Sequence, residues 1–272
     1  MPYTVCSQLA ANPVETGSRC ICAGPERRAS MTIPRFFVQS PVAVGQAAAL
    51  DPEQTRQVRN TLRMRTGDAL VVFDGSGREG HAQVSSMRKD SVEYTVIRVD
   101  TPRREPPLAL DVALAVLRGE RFELAVQKLT EVGVRSIIPL LTERTVVSFE
   151  AAADWERRAA RLQRIAREAA EQSERVTLPH IAAPLPLPDV LTRGAITCLV
   201  ERDTAPPLAS IPLAEVTTIA IGPEGGWSPR ERALLRAADV QIASMGNLVL
   251  RAETAAIVAA GTLLQRAWHE FR

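Results

Sequence analysis

The pattern of hydrophobic and polar positions changes once along the chain, near residue 104. In the front part, short runs of alternating apolar and polar residues are separated by turns; these runs are 36–38, 69–73, 80–84 and 92–97. Alternation with a period of two predicts half-buried strands that pair as hairpins. We therefore predict a small antiparallel β-barrel, interrupted by one helical segment at 52–63.

Beyond a proline-rich stretch at 101–107, apolar runs alternate with segments of helical periodicity. The pattern predicts strands at 108–117, 136–141, 196–200, 217–221 and 241–244, and helices at 121–132, 154–175, 229–238 and 252–268. This alternation indicates a parallel sheet flanked by helices, so the predicted fold class is α/β. The last helix is apolar on nearly every side and should be buried on two faces: either it lies inside the domain or one face packs on a second subunit, and we favour a symmetric dimer.

Two glycine turns in this second part are the most informative segments of the sequence. At 219–231 an apolar strand ends on a stiff loop that enters a helix, and 228–231 has the form of a capping box. Gly225 and Gly226 allow a ligand to approach bare backbone, and unpaired amides at a helix start favour a polar ligand. Residues 245–255 repeat the order of strand, glycine turn and helix. We predict that the two turns, on neighbouring strands, form one pocket.

Composition and charge narrow the class of protein. The formal net charge is +2, and all but Lys89 and Lys128 of the 33 basic residues are arginine, which binds phosphate in a bidentate way. No apolar run reaches the roughly 20 residues of a membrane-spanning helix, so we expect a cytoplasmic protein. Residues 1–30 lack periodicity, and we expect them to be a disordered leader or an over-extended gene start.

Several common catalytic motifs are missing from the sequence. There is no G-x-S-x-G nucleophile elbow, Walker P-loop or H-E-x-x-H pair. Residues 75–80 match G-x-G-x-x-G, but a predicted strand follows them, so a hairpin turn is the better interpretation. Of the four cysteines only Cys198 lies beyond residue 30, and we predict neither a disulfide framework nor a metal site.

Ordered motifs along the chain resemble one known family. These motifs are 35–38, 62–68, 73–77, 127–134, 168–175, 221–226 and 250–255. Together they resemble the RsmE-type 16S ribosomal RNA uridine N3-methyltransferases, members of the knotted SPOUT superfamily. The resemblance implies a PUA-like RNA-binding β-barrel at 31–100, a linker at 101–107 and a trefoil-knotted α/β methyltransferase domain at 108–272. It also implies a homodimer, 16S rRNA of the small ribosomal subunit as substrate, and S-adenosylmethionine as cofactor.

The resemblance further implies a cofactor pocket and an RNA-binding surface. The implied cofactor-binding residues are Leu199, Val200, Glu201, Gly222, Pro223, Gly225, Gly226, Met245, Gly246, Leu248, Leu250, Arg251 and Thr254. The implied RNA-binding residues are Arg35, Arg63, Arg65, Gln172 and Arg175, although the residues at 168–175 are also compatible with simple pairs on a helix surface.

If uracil is the target, as the resemblance implies, its chemistry indicates what a catalytic side chain must do. N3 becomes a nucleophile only as its proton leaves, so the site must stabilise a uridine anion. We predict that Arg35 holds the target phosphate or base and that Glu224 accepts or orients the proton; a role for Glu224 in tying its own loop is equally compatible. Arg251 is predicted to clamp the pocket through Glu253 or a loop carbonyl, with an exposed arginine at the helix start as the alternative.

Two other functions remain compatible with the sequence. One is a ribose 2′-O-methyltransferase of the same superfamily. The other is a non-catalytic ribosome-assembly factor that retains the knot, because Asn247 and Ala252 depart from the residues usual in the family.

Overall fold

The structure is a computed structural model that describes residues 33–145, 152–201, 205–238 and 240–271. The predicted leader at 1–30 lies outside the described residues. Two sheets organise the described chain, one in the front part and one in the back part. Among the described residues, no helix combines the length and the apolar character that crossing a membrane requires.

The front sheet has five short strands and is mostly antiparallel. Its strands are β1 (Arg35–Phe37), β2 (Ala47–Ala49), β3 (Ala69–Phe73), β4 (Glu79–Met87) and β5 (Val92–Asp100), in the spatial order β1-β3-β4-β5-β2. The prediction of an antiparallel arrangement is wrong at β1, which pairs parallel to β3. Sequence reasoning missed β2, because three consecutive alanines carry neither alternation nor β-branched side chains. Alternate residues of the strands, such as Phe36, Val72 and Tyr94, form the buried core.

The predicted helical segment of the front part is a short helix, α1 (Pro52–Arg56), continued by a π-helical turn at Gln57–Thr61. Asp51 begins it, because its side chain accepts a hydrogen bond from the Gln54 amide at 2.8 Å and the Gln54 side chain accepts one from the Asp51 amide. This reciprocal capping satisfies two backbone donors at the helix start.

The back sheet has seven strands, and all of their pairings are parallel. The strands are β6 (Ala109–Ala115), β7 (Ser136–Leu141), β8 (His180–Ile181), β9 (Leu185–Pro186), β10 (Ala195–Leu199), β11 (Val216–Ile221) and β12 (Gln241–Ala243). Their order is β12-β10-β11-β6-β7-β8, with β9 also paired to β7. The two-residue strands β8 and β9 are too short to leave a periodic signal in the sequence.

Helices flank the back strands; four of the five in the described chain were predicted from the alternation, and the five-residue helix at Leu187–Leu191 was missed. They are α2 (Glu120–Val132), α3 (Ala152–Gln172), α4 (Leu187–Leu191), α5 (Pro229–Ala237) and α6 (Ala252–Glu270). Successive residues of a strand point to opposite faces, so the central strand β6 divides the core into two layers. Val112 and Leu114 pack in the layer that contains α2 and α6, whereas Ala113 packs in the layer that contains α4 and α5.

One face of α6 is buried within the chain and the other is not. Its alanines and leucines from Ala256 to Ala267 are buried against α2 and the sheet, whereas Val258 is 45% exposed. The prediction that α6 is covered on a second face therefore requires a second subunit, and it stays a prediction.

Candidate functional site

A cavity of about 250 Å³ opens at the carboxyl ends of three neighbouring strands, β10, β11 and β12. In open α/β sheets this edge is where ligands commonly bind. The cavity is lined by Leu199, Val200, Glu201, Ile221, Gly222, Pro223, Glu224, Gly226, Trp227, Met245, Gly246, Leu248, Val249, Leu250, Arg251, Ala252 and Ala255. The two glycine turns singled out in the sequence thus meet at one site, together with the end of β10.

Most of the predicted cofactor-binding residues line this cavity, although their role in binding stays a prediction. Two of them do not line it. Gly225 faces away, because a Cβ on it would lie 3.3 Å from Cδ of Arg144, and Thr254 is exposed on the first turn of α6. The expectation that a ligand touches the Gly225 backbone stays a prediction.

Several lining residues escaped sequence reasoning: Ile221, Trp227, Val249, Ala252 and Ala255. They are apolar or small residues adjacent to the predicted ones, and this adjacency is the signal that was available in the sequence. A wall of apolar side chains around a few polar groups is typical of small-molecule pockets.

Trp227 joins two walls of the cavity. Its indole N–H donates a hydrogen bond to the carbonyl of Leu199 at the end of β10, at 2.8 Å. Its ring packs against Gly222, since a Cβ there would lie 3.0 Å from the indole. The side chain is only 3% exposed and belongs to the core layer of α4 and α5. Trp227 therefore fixes the spacing between the end of β10 and the turn after β11.

One glycine in each of the two turns has a conformation that other residues rarely adopt. Gly226 has a φ of 67° and Gly246 a φ of 102°. A Cβ on Gly226 would also lie 2.7 Å from Oε1 of Glu201, so this carboxylate rests against bare backbone. Past Gly246, Leu248 and Val249 are 82% and 50% exposed at the mouth of the cavity.

Three charged residues, Glu201, Glu224 and Arg251, line the cavity. Glu224 accepts a hydrogen bond from Nη1 of Arg121 at 3.0 Å, and its side chain is about one-third exposed. Arg251 immediately precedes α6, is exposed, and makes no side-chain hydrogen bond or ion pair with the described residues. Its predicted clamp to Glu253 or a loop carbonyl is absent; Glu253 is buried with Oε2 unpaired among the described residues.

Arg35, predicted to be catalytic, lies instead in a buried contact between the front and back parts. Its Nη1 donates to Glu79 at 2.7 Å and its Nη2 to the carbonyl of Arg175 at 3.1 Å. Arg104 pairs with the same Glu79 carboxylate, and these two arginines hold the pKa of Glu79 below its usual value against the effect of burial. Only 7% of the Arg35 side chain is exposed. The prediction that Arg35 holds the target RNA is therefore wrong in this structure.

Arg175 is likewise buried, which corrects its predicted role in RNA binding. Its guanidinium pairs with Glu105 at 2.9 Å and donates to the carbonyls of Thr130 and Val134. It joins the linker to the ends of α2 and α3, and it presents no free face to RNA. Gln172 is exposed on α3, so it stays a predicted RNA contact.

Arg63 and Arg65, the other predicted RNA contacts, are exposed on the front part. Arg63 has a φ of 50°, a backbone conformation that is uncommon outside glycine. Both arginines are therefore available to a phosphate backbone, and their role stays a prediction.

A carboxylate on α3 sits in a second contact between the two parts. Glu171 accepts a hydrogen bond from the Phe37 amide at 2.8 Å, and burial raises the pKa of Glu171 to about 7. The guanidinium of Arg167 lies over the Phe37 ring, 5.1 Å from its centroid, and 3.6 Å from Asp51. Aromatic, amide and charged contacts thus fix β1 against α3.

Three potential metal ligands in the front sheet, Glu79, His81 and Asp100, have ligand atoms within 4.8 Å of one another. Glu79 is paired with Arg35 and Arg104, and Asp100 with Arg98 at 2.7 Å. Arginine guanidinium groups thus occupy the positions beside these carboxylates, and the cluster is an ion-pair network.

Comparison with known proteins identifies the family. The family described as RNA methyltransferase domain matches residues 104–264, and the family described as RNA methyltransferase PUA domain matches residues 59–97. A Synechocystis protein named ribosomal RNA small subunit methyltransferase E is 32% identical over 234 residues, which cover 83% of this chain and 75% of that protein. This chain belongs to the small subunit methyltransferase E family. A Bacillus subtilis protein of the same name is 28% identical, covering 83% of this chain and 93% of that protein.

Solved structures agree with membership of the methyltransferase E family. A Legionella pneumophila protein in complex with the bound cofactor SAM has a TM-score of 0.81 and 31% identity, covering 87% of this chain and 98% of that one. A ribosomal RNA small subunit methyltransferase E from Neisseria gonorrhoeae, bound to S-adenosylmethionine, has a TM-score of 0.79 and 28% identity, with 86% and 98% covered. The expected fold class, a SPOUT-type α/β domain behind a PUA-like domain, is confirmed.

Proposed function

We propose that this chain transfers a methyl group from S-adenosylmethionine to N3 of a uridine in 16S rRNA of the small ribosomal subunit, in the cytoplasm. The observation that carries the proposal is the convergence of three turns, after β10, β11 and β12, on one cavity in a chain of the methyltransferase E family. Two similar solved structures, one of them named as a methyltransferase E, contain S-adenosylmethionine, and the names of the relatives give small-subunit rRNA as their substrate.

The residues of the cavity fit this cofactor. Apolar side chains such as Leu199 and Leu250 suit a stacked adenine, and the bare backbone at Gly222 and Gly246 offers amides and carbonyls at close approach. The Glu201 carboxylate at the end of β10 is an acceptor suited to hydroxyl groups. When bound, the cofactor supplies an electrophilic methyl group on a cationic sulfur.

The target uridine requires a proton acceptor and positive charge at the same cavity. Glu224 is the carboxylate we assign as proton acceptor, and its ion pair with Arg121 holds it at the wall. Because Arg35 is buried elsewhere, we assign stabilisation of the uridine anion to Arg251, whose guanidinium is exposed at the cavity.

We further propose the domain bounds and the RNA-binding surface. Residues 31–100 form the PUA-like RNA-binding domain, 101–107 the linker and 108–272 the methyltransferase domain. Arg63, Arg65 and Gln172 are exposed and contact the phosphate backbone, whose electrostatic attraction offsets the cost of extruding the uridine from its stack.

The chain acts as a homodimer in this proposal. Val258 on α6 and Leu124 on α2 are 45% and 44% exposed, and the two helices pack on each other. Apolar side chains left on neighbouring helices are typical of a surface that a second subunit covers.

The proposal is tested by mapping methylation in small-subunit rRNA from cells that lack the gene. We expect one N3-methyluridine to disappear and to return when the gene is restored. A lost 2′-O-methyl ribose would indicate the ribose methyltransferase instead. Unchanged rRNA, together with no calorimetric binding of S-adenosylmethionine by the folded protein, would favour the assembly factor.

A further inference from the structure

Arg144, in the turn after β7, contacts the outer side of one wall of the cavity. Its Nη1 donates a hydrogen bond to the carbonyl of Gly225, and its aliphatic stem packs where a side chain on Gly225 would lie, 3.3 Å from Cδ. Neither residue lines the cavity, although Glu224 and Gly226 on either side of Gly225 do. The arginine therefore holds the outer surface of the turn whose inner surface forms the wall.

The turn that carries Arg144 is itself closed by local hydrogen bonds. The Thr145 amide donates to the Thr142 carbonyl at 3.1 Å, and the two threonine hydroxyls lie 2.7 Å apart. The Thr142 amide also donates to the Thr145 hydroxyl at 3.0 Å. These contacts limit the conformations of the short turn, so the position of Arg144 is defined by β7.

A second contact fastens the same turn to the start of α5. The Glu143 amide donates to Oε1 of Glu231 at 2.9 Å, while Oε2 of that carboxylate accepts from the Ser228 amide at 2.8 Å. Glu231 is 3% exposed. One buried carboxylate, six residues after Gly225, thus caps α5 and also binds the β7 turn.

A turn with adjacent glycines needs such outside contacts. Glycine has more backbone freedom than any other residue, and ordering it on ligand binding costs conformational entropy. Gly225 and Gly226 have no side chains with which to fix their own conformation. A charge-assisted hydrogen bond from Arg144 to the carbonyl between them restricts that freedom before a ligand arrives.

We propose that Arg144 is a positioning residue for the cofactor: it pre-orders the Pro223–Trp227 wall of the cavity by binding Gly225. This inference rests on the proposed function, since it takes the cavity to be the S-adenosylmethionine site. Arg144 acts through the turn and does not touch the reacting atoms.

The test compares S-adenosylmethionine affinity in four full-length proteins by calorimetry. Arg144→Met keeps an aliphatic stem and removes the donor, and Arg144→Ala removes both. Arg230→Ala is the matched control, because Arg230 contacts Glu143 of the same turn at 3.8 Å without binding Gly225. We expect the dissociation constant to rise about tenfold in Arg144→Ala and several-fold in Arg144→Met. In Arg230→Ala it should stay within about twofold.

Kinetics and amide exchange separate positioning from a general loss of structure. The KM for S-adenosylmethionine should rise in both Arg144 variants, while kcat at saturating cofactor and the KM for RNA stay close to the wild-type values. Amide exchange at 224–227 should accelerate in Arg144→Met without cofactor present. If Arg144→Ala does not fold, Arg144→Met supplies both readouts.

Three results would overturn or redirect the inference. Equal cofactor affinity in Arg144→Met, Arg144→Ala and Arg230→Ala would refute the positioning role. A change confined to the KM for RNA would make Arg144 an RNA contact instead. If the wild-type protein does not bind S-adenosylmethionine, the proposed function fails. In that case, amide exchange at 224–227 that is no faster in Arg144→Met than in the wild type would separately refute the ordering of this wall by Arg144.

Discussion

At the scale of single residues, two side chains have roles that differ from what their position in the sequence indicates. Trp227 was a neighbour of a glycine turn, and the structure makes it the link between Leu199 and Gly222. Arg35 was a basic residue in an RNA-binding motif, and the structure makes it a buried partner of Glu79. Both differences arise from contacts between segments far apart in the chain, which no local pattern records.

Replacing Trp227 with phenylalanine tests the link across the cavity. The ring volume is largely kept, but the buried Leu199 carbonyl loses its donor. We expect S-adenosylmethionine to bind roughly fivefold more weakly and the unfolding free energy to fall by about 1 kcal/mol. Calorimetry and urea unfolding measure the two effects. Trp268→Phe, on α6, is the control that should change neither, and equal behaviour of the two variants would refute the role.

Replacing Arg35 with alanine distinguishes a structural from an RNA-binding role. Because it breaks a buried ion pair, we expect the unfolding free energy to fall by about 3 kcal/mol. Arg65→Ala, an exposed arginine of the same domain, should change stability by less than about 0.5 kcal/mol but weaken RNA binding. Urea unfolding and a filter-binding assay measure these changes. An Arg35→Ala protein as stable as Arg65→Ala would contradict the structural assignment.

At the scale of elements, the contact between β1 and α3 contains a group that titrates near neutral pH. Glu171 is packed against Phe37 and Gln54, with Arg167 and Glu168 beside it on α3 and Asp51 opposite Arg167. Burial raises its pKa from an unfolded value of 4.5 to about 7. A raised carboxyl pKa means that the folded state binds the proton more tightly than the unfolded state. The contribution of Glu171 to the unfolding free energy is therefore complete below pH 4.5 and is lost as the pH rises through 7.

The Glu171→Gln variant should therefore remove a pH dependence. Between pH 5 and 8, we expect the unfolding free energy of the wild type to fall relative to that of the variant by on the order of 2 kcal/mol. Glu168→Gln, which replaces an exposed carboxylate on the same helix, is the control. Its unfolding free energy should change with pH in parallel with that of the wild type. Parallel curves for wild type and Glu171→Gln, measured by urea unfolding across this range, would show that Glu171 does not titrate there.

Elements with strong periodicity were predictable, and the shortest ones were not. The predicted bounds of β3, β7 and α2 differ from the structure by at most one residue, because each has a clear period and a glycine or polar boundary. The helix predicted at 154–175 ends at Gln172, since Glu174 has a φ of 58° and the Arg175 side chain turns into the linker contact. The position of the cavity could be predicted from the two glycine turns. The contacts by which Trp227 and Arg144 hold its wall could not, because they depend on tertiary packing.

At the scale of the whole molecule, the proposed homodimer depends on the exposed face of α6. Val258→Glu places a charge on that face, and we expect the variant to be a monomer at a micromolar concentration at which we expect the wild type to be a dimer. Val44→Glu, at a 67% exposed position of the front part, is the control that should stay dimeric. Sedimentation velocity measures both. A wild type that remains monomeric, or a Val258→Glu protein that remains a dimer, would place the interface elsewhere or remove it.

The central claim is that the cavity at β10, β11 and β12 delivers a methyl group to N3 of uridine in 16S rRNA. The most direct measurement incubates the purified protein with methyl-labelled S-adenosylmethionine and small subunits from cells lacking the gene, then resolves the digested rRNA nucleosides by chromatography. The account predicts label in N3-methyluridine alone, at one site. Label in a 2′-O-methyl nucleoside, or none despite cofactor binding, would contradict it.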